Sequence, residues 1–192
     1  MNLPNKLTVL RCLMTPLFLL LMLWEFPFHY AAALLVFIAA SLTDLIDGKL
    51  ARKRGQVTNL GKFLDPLADK MLTTAAFIGF VQILPSNSIP WAVMLILARE
   101  FAVVSVRLMA AKDGVVVAAS FSGKLKTVMQ MVAIIYMLVF YQAMRIPFFR
   151  DLPGLEKWGG YAGMLFIWIS VAATVVSGIQ YIWALRGYFK ED

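Results

Sequence analysis

Cysteine and histidine are nearly absent from this chain: Cys12 and His29 stand alone. A single cysteine excludes an intrachain disulfide and a thiolate zinc cluster. A single histidine argues against a histidine-based metal site, so any metal bound here is expected to have oxygen ligands, as Mg²⁺ or Mn²⁺ prefers. Charge is scarce as well. Charged residues make up 15% of the chain and apolar ones 61%, whereas soluble domains carry about 25% charge. No polar stretch is long enough to form a soluble domain, which excludes a single anchor with an attached domain. Internal repeats and low-complexity tracts are also lacking. The direct reading is a polytopic membrane protein.

Six apolar segments can be drawn, at about 8–26, 28–47, 63–84, 90–111, 124–145 and 159–186, each near the roughly 20 residues that a span requires. The expected fold is therefore all-α: a membrane bundle of six transmembrane helices with a short N-terminal interfacial helix. It forms one integral-membrane domain over residues 1–192. Pro27, Pro85 with Pro90, and Pro147 with Pro153 punctuate one set of turns, and Gly48–Gly61 and Lys112–Gly123 form the other. The first apolar run is read as a span rather than a cleaved signal, because the alanines at 31–33 open another apolar segment.

Lysine and arginine set the expected orientation. Lys49, Arg52, Lys53, Arg54 and Lys62 fill the second connection, and Lys112, Lys124 and Lys126 fill the fourth. The connections at 24–29 and 85–90 contain neither residue. Both termini and the second connection are thus expected on the cytoplasmic side. The formal charge of +7 suits anionic lipid headgroups, and no nucleic-acid partner is expected.

The first eleven residues form an amphipathic start. Asn2 suits a helix cap and Pro4 a first turn. Leu3, Leu7 and Leu10 share one face, and Asn5, Thr8 and Arg11 another.

Four aspartates carry the chemistry. They occur in Asp44-Leu-Ile-Asp47-Gly48-Lys-Leu-Ala51-Arg52 and in Gly61-Lys-Phe-Leu-Asp65-Pro-Leu-Ala-Asp69. The spacings of three and four put each pair on one helix face. Two helices ending at the same membrane surface would gather four anions, a costly arrangement unless cations cancel the charge. Two divalent ions would do so, and metal-assisted phosphoryl chemistry uses that arrangement. Asp44, Asp47 and Asp65 are ligand candidates; Asp69 is either a further ligand or the base that takes a proton from an attacking hydroxyl. Gly48 and Gly61 either let a nucleotide approach the backbone or end their helices. Arg52 can contact a pyrophosphate.

These residues match D-x-x-D-G-x-x-A-R-x8-G-x-x-x-D-x-x-x-D at every fixed position. The chain thereby resembles the CDP-alcohol phosphotransferase family of integral-membrane enzymes. The resemblance implies transfer of a phosphatidyl group from CDP-diacylglycerol to an alcohol with release of CMP, two metal ions, Asp69 as base, Ala51 under the nucleoside, and a homodimer. The Asn5-x-Leu-Thr8-x-x-Arg11 start, Ala98-Arg99-Glu100, and Gly123-Lys124-x-Lys126-Thr127-x-x-Gln130 are similar to the phosphatidylglycerophosphate synthase branch. In that branch the N-terminal pattern lies near the liponucleotide, and the implied acceptor is glycerol 3-phosphate. Arg99 and Arg107 lie on the fourth segment, and Lys124, Thr127 and Gln130 form a polar stripe entering the fifth. Buried charge of this kind faces a partner or a cavity. Arg99, Arg107, Lys124, Lys126 and Thr127 are the candidates for holding the acceptor phosphate. A cardiolipin synthase or phosphatidylinositol-phosphate synthase activity is the alternative within the family, and a cation transporter is the alternative outside it.

Overall fold

The computed structural model describes residues 3–54, 59–112 and 121–184; the side chains of residues 3–5, 44–54, 59–67, 69, 108, 111 and 112 lie outside that description. All regular structure among the described residues is helical: α1 Leu3–Leu23, α2 His29–Arg54, α3 Asn59–Ile83, α4 Ile89–Lys112, α5 Phe121–Met144, α6 Pro147–Arg150 and α7 Leu155–Ala184. The expected helical class holds. Within α1, α4, α5 and α7 lie stretches long and apolar enough to cross a membrane. Within the described residues α2 and α3 hold shorter apolar stretches, His29–Thr43 and Lys70–Ile83.

Three details differ from expectation. No separate interfacial helix precedes the first span; its polar residues belong to the first turns of α1, which continues to Leu23. Gly48 and Gly61 do not end helices, since α2 runs on to Arg54 and α3 starts at Asn59. A single glycine costs a helix only about 1 kcal/mol, too little to stop one that is already propagating. Pro66, for which the sequence allows a first-turn or an interior position, lies inside α3. The short α6 was not anticipated; Pro147 opens it at a position where a missing N–H costs nothing.

The chain forms two compact units, one of residues 1–85 with 134–156 and one of 86–133 with 157–192. In the first unit, α1 packs extensively against both α2 and α3, which also touch each other. The turn at 24–28 sends α2 back along α1: His29 Nδ1 lies 3.2 Å from the Met22 carbonyl, and the Phe18 and Phe37 rings meet with centroids 5.8 Å apart. Leu19 and Met22 lie against Gly79 near the far end of α3, so α3 runs parallel to α1 and antiparallel to α2. No side chain larger than hydrogen fits at Gly79 without moving Met22, whose Sδ would stand 2.6 Å from an added Cβ.

The start of α2 is tied to the second half of α5. The Gln142 Oε1 accepts a hydrogen bond from the Ala31 N–H at 3.0 Å, satisfying a donor in the first turn that has no partner within its own helix. Gln142→Leu is expected to lower stability by about 1 kcal/mol, measurable as an earlier thermal unfolding of the detergent-solubilised protein, with activity retained below the transition.

Candidate functional site

The polar residues singled out up to position 69 all lie on α1, α2 and α3. Asn5, Thr8 and Arg11 are on α1; Asp44, Asp47, Gly48, Ala51 and Arg52 are on α2; Gly61, Asp65 and Asp69 are on α3. Apart from those of Thr8 and Arg11, their side chains lie outside the described residues. Helix register nevertheless constrains them. Stepping away from the Phe18–Phe37 contact by equal numbers along the antiparallel pair sets Arg11 level with Asp44 and Thr8 level with Asp47. Stepping back from the Met22–Gly79 contact along the parallel pair sets Thr8 level with Asp65, and Arg11 level with Ala68, the neighbour of Asp69.

Together the two counts give two levels, Thr8 with Asp47 and Asp65, and Arg11 with Asp44 and Ala68, the neighbour of Asp69. The levels are separated by about 5 Å of helix rise. Along α3, Gly61, Asp65 and Asp69 recur every four residues, and along α2, Asp44, Gly48 and Ala51 or Arg52 do nearly the same; such spacing keeps each set on one side of its helix.

The electrostatics of this register are demanding. Thr8 and Arg11 are 1% and 2% exposed, and a buried guanidinium is costly without anions nearby. One arginine is too little charge to balance four carboxylates, and the oxygen donors of the acidic motif are of the kind Mg²⁺ or Mn²⁺ prefers. Among the described residues no grouping of three or more His, Cys, Asp or Glu could hold a metal; the side chains of the acidic motif lie outside them.

The second set of predicted residues lies on α4 and α5 in the second unit. Lys126 is 2% exposed and pairs with Glu100, itself 8% exposed. Arg99 Nη1 is 3.6 Å from the same carboxylate oxygen. Neighbouring residues do not share a helix face, yet the long arginine reaches because its stem lies flat on Gly178 of α7. A Cβ there would stand 2.8 Å from Arg99 Cγ. Arg107 is exposed, with its guanidinium carbon 5.9 Å from the centre of the Tyr181 ring. Lys124 is exposed, and Thr127 Oγ1 donates to the Gly123 carbonyl at 3.3 Å.

The predicted stripe of Lys124, Thr127 and Gln130 therefore divides. Its inner member, Gln130, is buried and donates from Nε2 to Thr174 Oγ1 at 3.1 Å. Thr174 donates in turn to the Ser170 carbonyl at 2.6 Å, and Ser177 to the Thr174 carbonyl at 3.0 Å. The structure brings Arg99, Glu100 and Lys126 together and sets Arg107 against Tyr181; Lys124 and Thr127 are outside that group. Sequence reasoning missed the α7 contribution of Thr174 and Tyr181, while Gly178 is readable from its residue type as a close-packing position. A signal was present, since Ser170, Thr174, Ser177 and Tyr181 recur at spacings of four, three and four on an otherwise apolar helix.

Residues 1–176 match the model of the CDP-alcohol phosphatidyltransferases. The chain is 40% identical to a CDP-diacylglycerol–glycerol-3-phosphate 3-phosphatidyltransferase of Bacillus subtilis, over 94% of this chain and 93% of that one. It is 35% identical to an enzyme of the same name from Rickettsia bellii, over 98% and 97% of the two chains. A probable phosphatidylglycerophosphate synthase of Mycobacterium tuberculosis is 36% identical, over 94% of this chain and 80% of its own.

Proposed function

The chain belongs to the CDP-alcohol phosphatidyltransferase family, and on that footing we propose that it transfers the phosphatidyl group of CDP-diacylglycerol to glycerol 3-phosphate, releasing CMP. The observation that supports this reading is the helix packing of α1 against α2 and α3, whose two registers bring the aspartate positions level with Thr8 and the buried Arg11. The printed names of the relatives supply the acceptor. An oxygen of glycerol 3-phosphate attacks the phosphorus that bears diacylglycerol, the bond from that phosphorus to the CMP oxygen breaks, and the acceptor proton passes to a carboxylate.

Asp69 is the base in this scheme, while Asp44, Asp47 and Asp65 would hold two ions, Mg²⁺ or Mn²⁺, with Asp69 able to share in the second. When bound, such ions supply charge stabilisation to the pyrophosphate oxygens. Asn5, Thr8, Arg11, Arg52 and the backbone at Gly48, Ala51 and Gly61 bind the liponucleotide. Arg99, Arg107, Lys124, Lys126 and Thr127 bind the acceptor phosphate; a cationic group of that size favours a phosphorylated alcohol over a neutral one.

The remaining features of the proposal concern assembly. The chain is one functional domain of six membrane-crossing helices, α1 to α5 and α7, with α2 and α3 long enough to cross despite their short apolar runs. The lysine and arginine distribution supports cytoplasmic termini and an active site open to the cytoplasmic side of a bacterial inner membrane. The functional particle is a homodimer in lipid.

The purified protein is expected to release CMP from CDP-diacylglycerol only when glycerol 3-phosphate and Mg²⁺ or Mn²⁺ are both present. Chelation should abolish the reaction and lower thermal stability together, because the aspartates then face one another without compensation. Release with phosphatidylglycerol or inositol phosphate, and none with glycerol 3-phosphate, would overturn the acceptor. Chelator-resistant release would overturn the metal centre.

A further inference from the structure

Tyr181 has a hydroxyl in an unusual position. The residue is 5% exposed, and among the described residues its hydroxyl has no hydrogen-bond partner. A buried hydroxyl left in this condition is unfavourable and calls for an explanation in a ligand or a role. Its surroundings are cationic. Arg107 lies over its ring at 5.9 Å, and Val103 and Val106 of α4 pack against it. One helical turn earlier, Gly178 receives the stem of Arg99, whose buried Nε also lacks a partner among the described residues. Two arginines two turns apart on α4 thus meet neighbouring turns of α7, and among the described residues a buried guanidinium N–H and a buried phenol there lack an acceptor. An anion satisfies both at once, and a phosphate oxygen accepts strongly from a phenol and a guanidinium.

We infer that Tyr181 is a further acceptor-binding residue, whose hydroxyl donates to the phosphate of the phosphorylated alcohol held by Arg99 and Arg107. The inference rests on the proposed acceptor site and extends it beyond residue 176, where the match to the family model ends. Gly178 then acts as a positioning residue: having no Cβ, it lets the Arg99 stem lie against α7 one turn from the tyrosine.

Tyr181→Phe tests this cleanly, since the ring that packs on Val103 and meets Arg107 is kept. The apparent KM for glycerol 3-phosphate is expected to rise at least about tenfold, the range for losing a hydrogen bond to a charged group, with the KM for CDP-diacylglycerol unchanged. Without acceptor, the variant should unfold at the same or a higher temperature than the parent, because an unsatisfied hydroxyl has been removed. An unchanged acceptor KM, or a loss of stability in the acceptor-free variant, overturns the inference, the latter by revealing a structural partner for the hydroxyl. If the parent protein releases no CMP with glycerol 3-phosphate, the proposed function fails separately, and thermal protection by inorganic phosphate decides this point. Weaker protection of Tyr181→Phe than of the parent supports an anion site at Tyr181, and equal or absent protection overturns it.

Discussion

Asp69→Asn is expected to reduce CMP release by about a thousandfold or more at saturating CDP-diacylglycerol and glycerol 3-phosphate, at the strong end of the range for a lost general base. Asparagine keeps the shape and one oxygen of the side chain but cannot accept a proton at neutral pH. The helix count sets Asp69 one residue from the level of Asp44 and Arg11, so the substitution also removes one negative charge from a crowded site without removing volume. Donor binding should therefore survive. CDP-diacylglycerol with Mg²⁺ should still raise the unfolding temperature of the variant, as is expected for the parent. The two readouts separate the possible roles of this carboxylate. Lost turnover with retained donor protection assigns it the proton. Loss of both assigns it chiefly to metal binding, and turnover near the parent value would move the base to another residue. Asp44→Asn and Asp47→Asn serve as the contrast, since as ligands they should lose donor protection and turnover together.

How much of this was legible beforehand differs between the acidic motif of the first unit and the cationic group of the second. The acidic motif depends on spacing along single helices, and spacing is what a sequence records. The i,i+3 pair at Asp44 and Asp47 and the i,i+4 pair at Asp65 and Asp69 imposed their faces without reference to any neighbour. The glycines were less readable. Gly48 and Gly61 resembled helix ends because glycine is a weak helix former, but a helix held by α1 on one side continues through such a residue. Helix directions were implied by short connections, but interhelical register was not legible: the one that sets Thr8 and Arg11 level with the aspartate positions follows from two packing contacts, Phe18 on Phe37 and Met22 on Gly79. In the second unit, Glu100 meets its neighbour Arg99 and also Lys126, 26 positions away. No periodicity within α4 or α5 encodes that pair.

Lys126 supplies the other large expected effect, because structure and proposed function make different demands on it. Its ammonium is buried and paired with the Glu100 carboxylate. Removing one member of a buried ion pair strands the other in a low-dielectric setting, at a cost of about 3–5 kcal/mol. Lys126→Met is thus expected to unfold at a markedly lower temperature and to lose activity through instability alone, which by itself says nothing about the acceptor. The double variant Glu100→Gln, Lys126→Met removes both charges and should recover most of that stability, as paired replacement of buried charges often does. If Lys126 also binds the acceptor phosphate, the stable double variant will still show an acceptor KM raised about tenfold or more, with the donor KM near that of the parent. If it shows parent-like acceptor kinetics, Lys126 is a structural cation and leaves the acceptor site. Arg107→Ala provides the control from the opposite direction. Arg107 is exposed and rests on the Tyr181 ring, so its loss should leave stability almost unchanged while raising the acceptor KM. A stable Arg107 variant with unaltered acceptor KM would remove that arginine from the site, and Lys126 would then have to be judged on the double variant alone.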